Sequence, residues 1–167
     1  MRHTMKRLLL SLTILLASIL ASTAQEADTI ASPQDSLRIS LLTCGPYDEV
    51  WTLYGHSALR VELPLLHQDY AVNYGLFDFR QPYFVLPFVF GKCDYMMAFV
   101  PFEQFMKEFS MSNASVYQQE LNLTRQEKKD ILQALVTNSL PENCEYRYNF
   151  FYDNCATRPR DIVLNNI

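Results

Sequence analysis

The residues best suited to covalent chemistry lie near the end of the chain, in residues 152–161 (YDNCATRPRD). This segment is predicted to run from a loop into a helix. Asp153 or Asn154 would be the N-cap, because a short side-chain oxygen accepts hydrogen bonds from the free amides of the first turn. Pro159 is tolerated only in that first turn, so we expect the helix to begin at about Cys155. A thiol there meets the positive end of the helix dipole, which favours the nucleophilic thiolate.

A cysteine nucleophile needs a base, and outside the N-terminal segment the sequence holds only two histidines, His56 and His67. His56 follows Gly55 at the predicted start of a strand, whereas His67 falls in a predicted loop and is interpreted as solvated. A histidine at a strand start and a cysteine at a helix start can face each other if the helix packs over the sheet edge. Imidazole would then take the thiol proton, and imidazolium would stabilise the thiolate.

A third polar group must orient the imidazole ring. Asn73 is the first choice, because it lies on the strand predicted to pair with the strand of His56, and Asp78 is the alternative. The competing interpretation makes His56 a structural, hydrogen-bonded histidine and Cys155 a buried or disulfide-bonded cysteine. Spacing alone favours that interpretation, because the two residues are far apart in the sequence.

The four cysteines, all outside the N-terminal segment, leave two arrangements open. An even number of cysteines in an exported domain first suggests two disulfides. If Cys155 is a free nucleophile, at most one disulfide can form among Cys44, Cys93 and Cys144. The sequence has no CxxC motif and no cluster of cysteine and histidine, so we predict neither a metal site nor an organic cofactor.

The N-terminal residues 1–24 have the features of a secretory signal peptide: a basic start, an apolar run over residues 8–20, and small residues before a predicted cleavage after Ala24. Residues 25–36 are polar and are interpreted as a linker. The remaining residues 37–167 are predicted to form one domain with a single core.

Removal of the signal peptide makes the domain strongly acidic. Three of the 14 basic residues are lost and none of the 18 acidic ones, so 11 basic residues remain and the formal net charge becomes −7. Nucleic-acid binding requires clustered lysine and arginine, so this charge argues against a nucleic-acid partner. It also argues against simple electrostatic docking on anionic lipid.

Hydrophobic patterning predicts an α+β domain, with an antiparallel sheet packed against helices. Strands are predicted over residues 37–43, 58–63, 70–79, 94–100 and 115–123, and helices over residues 102–109, from a capping box at 124–127 to about 139, and from about 155. The second and third strands are predicted to form a hairpin. The apolar run 82–90 contains Pro87, which argues against a central strand, and it is too short to span a membrane.

Three separated motifs, in this order, carry a family resemblance. Residues 54–61 (YGHSALRV), 73–79 (NYGLFDF) and 153–158 (DNCATR) resemble the periplasmic N-terminal domain of the Lnb lipoprotein N-acyltransferases of Bacteroidota, and the resemblance extends over most of residues 38–167. More distantly, the chain is similar to circularly permuted papain-like proteins. These include the lecithin:retinol acyltransferase group and permuted relatives of bacterial cell-wall amidases.

The resemblance implies that Cys155 is the nucleophile and His56 the base. It further implies a Cys thioester, with the acyl chain moving from a phospholipid to the α-amino group of a lipoprotein's terminal cysteine. The protein would be periplasmic, exported by its signal peptide, and located at the membrane face. Full-length family members continue into a membrane-spanning region, whereas this sequence ends at Ile167, so we expect either a piece of a longer protein or a stand-alone domain.

Substrate contacts are predicted for residues that flank this pair. Tyr54 and Tyr152 would supply a hydroxyl, or alternatively serve only in aromatic packing, and the N–H of Cys155 is a natural oxyanion donor. Arg158, with Arg160, would hold a phosphate head group. Alternatively Arg158 pairs with Asp161 at i,i+3 spacing on the helix. The apolar side chains of residues 84–90 would line an acyl-chain pocket, touch the membrane, or belong to the core.

Two other functions remain open at this point. A cysteine amidase or peptidase acting on cell-wall peptides would use the same thioester with water as the acceptor, in a polar groove instead of an apolar one. An inactive, truncated binding domain would hold Cys155 in a disulfide or turn His56 away from it.

Overall fold

The strands form one antiparallel sheet, and its central strands are buried in continuous runs because both faces of the sheet are covered. The computed structural model describes residues 32–47, 52–76, 90 and 94–167. Its strands are β1 Arg38–Cys44, β2 His56–Leu63, β3 Gln68–Leu76, β4 Asp94–Pro101, β5 Val116–Glu120 and β6 Glu145–Arg147, in the sheet order β5-β1-β2-β3-β4-β6. Every neighbouring pair is antiparallel. The predicted α+β class and antiparallel sheet are therefore confirmed.

Among the described residues, three helices cover the two faces of the sheet: α1 Phe102–Met111, α2 Arg125–Asn138 and α3 Thr157–Leu164. Because successive side chains of a strand point to opposite faces, each face gains its own core. The core on the side of α2 and α3 includes Leu37, Ile39, Leu59, Val61, Val72, Tyr74, Ile131 and Leu135. The core on the side of α1 consists of Leu42, Cys44, Ala58, Ala71, Phe105 and Phe109.

The predicted helices and strands are found with shifted ends. The hairpin of β2 and β3 closes through a short 3-10 turn at Pro64–Leu66, and β5 is shorter than the predicted strand over residues 115–123. The strand β6 was not predicted, since only its central residue Tyr146 is buried and three residues are too few to show a period.

The expected helix start at Cys155 is wrong by two residues, because α3 begins at Thr157. The side-chain oxygen of Asn154 binds the first free amides, and Cys155 is therefore held in a turn before the regular helix.

Several predictions fall outside the described residues. These are the signal peptide, residues 25–31 of the linker, Asp78, Cys93 and residues 82–89 of the apolar run. Within the part of the chain that is described, no helix is long and apolar enough to cross a membrane.

The capping box that begins α2 is formed as predicted. The Thr124 hydroxyl accepts from the Glu127 N–H at 3.3 Å, and the Glu127 carboxylate accepts from the Thr124 N–H at 2.6 Å. Replacing Thr124 by Ala removes one of these bonds, and we expect the free energy of unfolding in urea to fall by about 1 kcal/mol.

The matched control is Thr137→Ala in the same helix, where the hydroxyl donates back to the Gln133 carbonyl, accepts a long contact of 3.5 Å from the Gln133 side chain, and caps nothing. Alanine suits a helix interior, so this variant should lose little or no stability. Equal losses in the two variants would show that the cap does not stabilise α2.

Candidate active site

Cys155 lies in a tight turn that leads into α3. The Asn154 side-chain oxygen accepts from the backbone N–H groups of Ala156 at 2.8 Å and Thr157 at 3.0 Å. In return, the Thr157 hydroxyl accepts from the Asn154 N–H at 2.8 Å, and the Arg158 N–H donates to the Asn154 carbonyl at 3.0 Å. Asn154 thus caps the turn, as one of the two predicted cap residues, and these bonds fix the backbone on both sides of Cys155.

The Arg158 side chain binds Asp153, two residues before Cys155 in the sequence. Its guanidinium donates twice to the Asp153 carboxylate, at 2.6 and 2.8 Å, and lies 3.9 Å from the centre of the Tyr146 ring. The expected Arg158–Asp161 pair is wrong, because Asp153 offers both carboxylate oxygens to the planar guanidinium while Asp161 pairs with Arg160 at 2.7 Å. A role for Arg158 in binding a head group stays a prediction.

His56 begins β2, and its ring is oriented by Asn73 of β3. The His56 Nε2 lies 2.9 Å from the Asn73 side-chain oxygen, which also accepts from the Gly75 N–H at 2.7 Å. A backbone N–H can only donate, so the atom between them is the amide oxygen, and Nε2 must carry the ring proton. In the neutral ring the lone pair is then on Nδ1, the nitrogen available to Cys155.

Gly75 makes room for this arrangement. In the antiparallel pair of β2 and β3, Leu59 lies opposite Val72. Extending this register by three residues places Gly75 opposite His56. A Cβ on Gly75 would lie 2.6 Å from His56 Cε1, which is closer than side chains pack. The pairing of β3 with β4 also shifts between Asn73 and Leu76, and such bulges commonly re-aim side chains beside functional sites.

The Cys155 and His56 side chains are hydrogen-bonded and stabilise each other's charge. Burial alone would raise the pKa of the Cys155 thiol, but the hydrogen bond and charge of His56 and the N–H groups of Ser57 and Cys155 lower it. Burial alone would lower the pKa of His56, but the hydrogen bond to and charge of Cys155, with the Asn73 contact, raise it. The arrangement therefore favours a thiolate–imidazolium pair.

Two backbone N–H groups, from Ser57 at the start of β2 and from Cys155 itself, donate toward the thiol sulfur. When the sulfur attacks a carbonyl, the carbonyl oxygen becomes negative close to the sulfur. The same N–H groups can then donate to that oxyanion. Aromatic rings support the His56 ring from α1: Phe109 is stacked at 6.5 Å between ring centres, and Phe105 lies at 6.3 Å.

Cys155, His56 and Asn73 open into a cavity of about 330 Å³. Its large lining side chains are mostly aromatic: Tyr47, Tyr54, Leu76, Tyr95, Phe109, Tyr148 and Phe150. No lysine or arginine is among the described lining residues, and Glu108 is the one carboxylate there. Glu108 was not singled out from the sequence, because an acidic residue on an amphipathic helix is normally a solvated surface group.

Three further residues considered in the sequence, Tyr54, Tyr152 and His67, are exposed. Tyr54 is 80% exposed and packs edge-on against Phe150 at the cavity mouth, and Tyr152 is 82% exposed. His67 is exposed in the left-handed turn after the 3-10 segment.

The described cysteines Cys44, Cys144 and Cys155 are free thiols, so the two-disulfide arrangement is not the one found. Burial, with the nearby charges of Glu108 and Cys155, raises the pKa of Cys44 to about 12, which makes it a poor nucleophile. In the described part of the chain, no group of three or more histidine, cysteine, aspartate or glutamate side chains could hold a metal ion.

A comparison with protein families identifies the chain. Residues 24–166 match the model of the Lnb N-terminal periplasmic domain. The chain belongs to this family. This membership establishes a periplasmic domain and confirms the predicted resemblance. Searches of curated proteins and of solved structures gave no match.

The geometry predicts how Cys155 reacts with iodoacetamide. Its lowered pKa should give alkylation well below the ordinary thiol pKa of about 8.5. Both His56→Ala and Gly75→Ala should slow alkylation at about pH 6.5 by roughly tenfold or more, the first by removing the imidazole and the second by displacing it. Mass spectrometry of the Cys155 peptide across pH measures the rate.

Gly45→Ala is the matched control, because a Cβ there would meet nothing closer than 3.5 Å. It should keep the wild-type pH profile. A Cys155 that alkylates equally fast in the Gly75→Ala and Gly45→Ala proteins would contradict the close contact between Gly75 and the ring of His56.

Proposed function

We propose that this domain is a cysteine-nucleophile acyltransferase, which moves an acyl chain from a phospholipid, through a Cys155 thioester, to the N-terminal amine of a lipoprotein. The observation that carries this proposal is the hydrogen-bonded series Cys155–His56–Asn73 in a cavity, within a family of periplasmic domains. Each of the three side chains has a distinct role: Cys155 attacks, His56 moves protons and Asn73 orients the imidazole ring.

In the first half-reaction, the Cys155 thiolate attacks the ester carbonyl of the phospholipid. A C–S bond forms, and the carbonyl oxygen becomes negative near the N–H groups of Ser57 and Cys155. The ester C–O bond then breaks. The His56 imidazolium gives its proton to the departing alkoxide, which leaves as the hydroxyl of a lysophospholipid. His56 is then neutral, with its lone pair again on Nδ1.

In the second half-reaction, a neutral amine attacks the thioester carbonyl. The new N–C bond forms as the C–S bond breaks, and His56 takes the proton that the attacking nitrogen loses. The thiolate and imidazolium are thereby restored. Summed over both halves, ester and ammonium give amide, alcohol and one proton released to water.

The cavity lining supports a lipid substrate more than a cell-wall peptide. Seven of its described residues have large aromatic or aliphatic side chains, and none is a lysine or arginine that would bind the acidic groups of such a peptide. The described cysteines are unbridged and His56 is bonded to Cys155, which also counts against an inactive binding domain. The order of a strand histidine before a helix-associated cysteine supports a permuted papain-like fold.

An exposed aromatic rim supports a position at the membrane face. We define this aromatic rim as Tyr54, Phe150, Phe151 and Tyr152, which are 80%, 45%, 75% and 82% exposed. Their rings contact one another in sequence, at 5.0, 5.3 and 6.3 Å between centres. Aromatic side chains favour the lipid–water interface, and the acidic domain gains nothing from anionic lipid. We also propose that the predicted signal peptide, residues 1–24, directs export of the protein to the periplasm.

Acyl transfer predicts a covalent intermediate. Incubation of the purified domain with zwitterionic phospholipid vesicles should add the mass of one acyl chain to Cys155, in a form that hydroxylamine removes. His56→Ala should slow this acylation by about 10²–10⁴-fold, since it removes the proton donor to the leaving group. Intact-protein and peptide mass spectrometry measure the adduct.

Cys144→Ala is the control, because this free thiol does not line the cavity and its loss should leave acylation unchanged. A domain that never carries an acyl chain on Cys155, yet cleaves cell-wall peptides, would exclude the acyltransferase and favour the amidase.

The aromatic rim predicts that the domain binds lipid surfaces. The double variant Phe151→Ser and Tyr152→Ser removes two exposed rings, and we expect its partition onto zwitterionic vesicles to fall by roughly tenfold or more. Co-sedimentation with vesicles measures the bound fraction. The matched control is the double variant Met111→Ser and Tyr117→Ser, which removes two side chains that are 88% and 69% exposed outside the rim. Equal losses in both double variants would rule out a specific role for the rim.

A further inference from the structure

One side of the cavity is acidic. The last turns of α1 bring Glu108 to the cavity next to Phe109, whose ring stacks on His56. The Tyr47 hydroxyl donates to the Glu108 carboxylate at 2.7 Å, which holds an otherwise exposed side chain in one direction. The charge of Glu108 is felt within the site, because it contributes to raising the pKa values of His56 and Cys44.

The charge of the cavity changes during the reaction. When Cys155 is a thiolate and His56 an imidazolium, their two charges balance each other. After acylation the thioester is neutral, and His56 has given its proton to the leaving group. Glu108 then carries the one formal charge among the described lining residues. An acyl-enzyme cavity of this kind attracts a cation and repels a phosphate.

We propose that Glu108, positioned by Tyr47, binds the ammonium group of the acyl acceptor and so makes this domain specific for amine acceptors. The inference rests on the proposed acyl transfer. The carboxylate accepts a charge-assisted hydrogen bond from the ammonium and holds its nitrogen beside the thioester. The ammonium then loses one proton to solvent, since the Glu108 side chain lies at an exposed edge of the cavity. The neutral nitrogen attacks the carbonyl carbon, the C–S bond breaks, and His56 takes the second proton.

Glu108→Gln keeps the shape of the side chain and removes its charge. The acyl-enzyme is discharged with a short synthetic peptide that carries S-diacylglyceryl-cysteine with a free α-amine. We expect the peptide concentration for half-maximal rate to rise roughly ten- to a hundredfold, the range of one charged hydrogen bond. The limiting rate and the rate of hydrolysis without peptide should change much less, because Glu108 does not touch the reacting bond and acts on both rates only through its small contribution to the pKa of His56.

Glu103→Gln is the matched control. It removes a carboxylate from the same helix that pairs with Lys107 and does not line the cavity. Its half-maximal concentration should equal that of the wild type. An unchanged half-maximal concentration in Glu108→Gln would overturn the inference. A variant that loses hydrolysis as well would also overturn it, because Glu108 would then serve the structure of the site.

A binding measurement separates this inference from the proposed function. The Cys155→Ser protein cannot form a thioester, so its affinity for the peptide reports on the acceptor site alone. It should bind the α-amine peptide more tightly than the matching α-hydroxyl peptide, and Glu108→Gln should abolish that preference. If Cys155 is never acylated but the preference exists, the proposed function fails and the ammonium site stands. If the thioester forms and the preference is absent, the ammonium site fails and the proposed function stands.

Discussion

The site depends on one amide oxygen that accepts two hydrogen bonds. The Asn73 oxygen receives the Gly75 N–H and the proton on His56 Nε2, and this leaves the other ring nitrogen unprotonated toward Cys155. An asparagine that could rotate would offer either its oxygen or its NH₂ group, and the ring could then take either tautomer. The backbone donor removes that freedom. The contact also requires that residue 75 have no side chain, because any Cβ there would collide with the imidazole.

The charges of Cys155 and His56 are stabilised by hydrogen-bond donors and by each other, against the cost of partial burial. Burial disfavours both the thiolate and the imidazolium, so the pair persists only where fixed donors and the partner's charge outweigh that cost. The turn at Asn154 sets the backbone at Cys155, and its hydrogen bonds are formed before any substrate arrives. Preorganised dipoles need no rearrangement when charge develops during a reaction, and this makes them effective at stabilising it.

The sequence identifies the parts of this arrangement that follow from local patterns. His56 and Asn73 lie on two alternating segments that pair as a hairpin, and Cys155 lies beside a recognisable helix cap, so all three could be selected without a structure. Gly75 could not, because its role depends on the register of β2 and β3 and on the bulge beside it. Glu108 could not either, since the side of α1 that faces the cavity is set by packing of Phe105 and Phe109 across the sheet. The exact start of α3 depends on which amides the Asn154 oxygen reaches.

The shortest strand, which no pattern revealed, connects the sheet to the nucleophile. The hydroxyl of Tyr146 in β6 donates to the Tyr74 carbonyl in β3, and the Tyr146 ring lies under the guanidinium of Arg158. Arg158 in turn binds Asp153, two residues before Cys155. The thiol is supplied by the turn before α3, far in sequence from the histidine that it must meet. Through the buried Tyr146 ring, contacts connect β3 to that turn. Because β3 also carries Asn73, the same strand sets the orientation of the base and, through Tyr146, the position of the nucleophile.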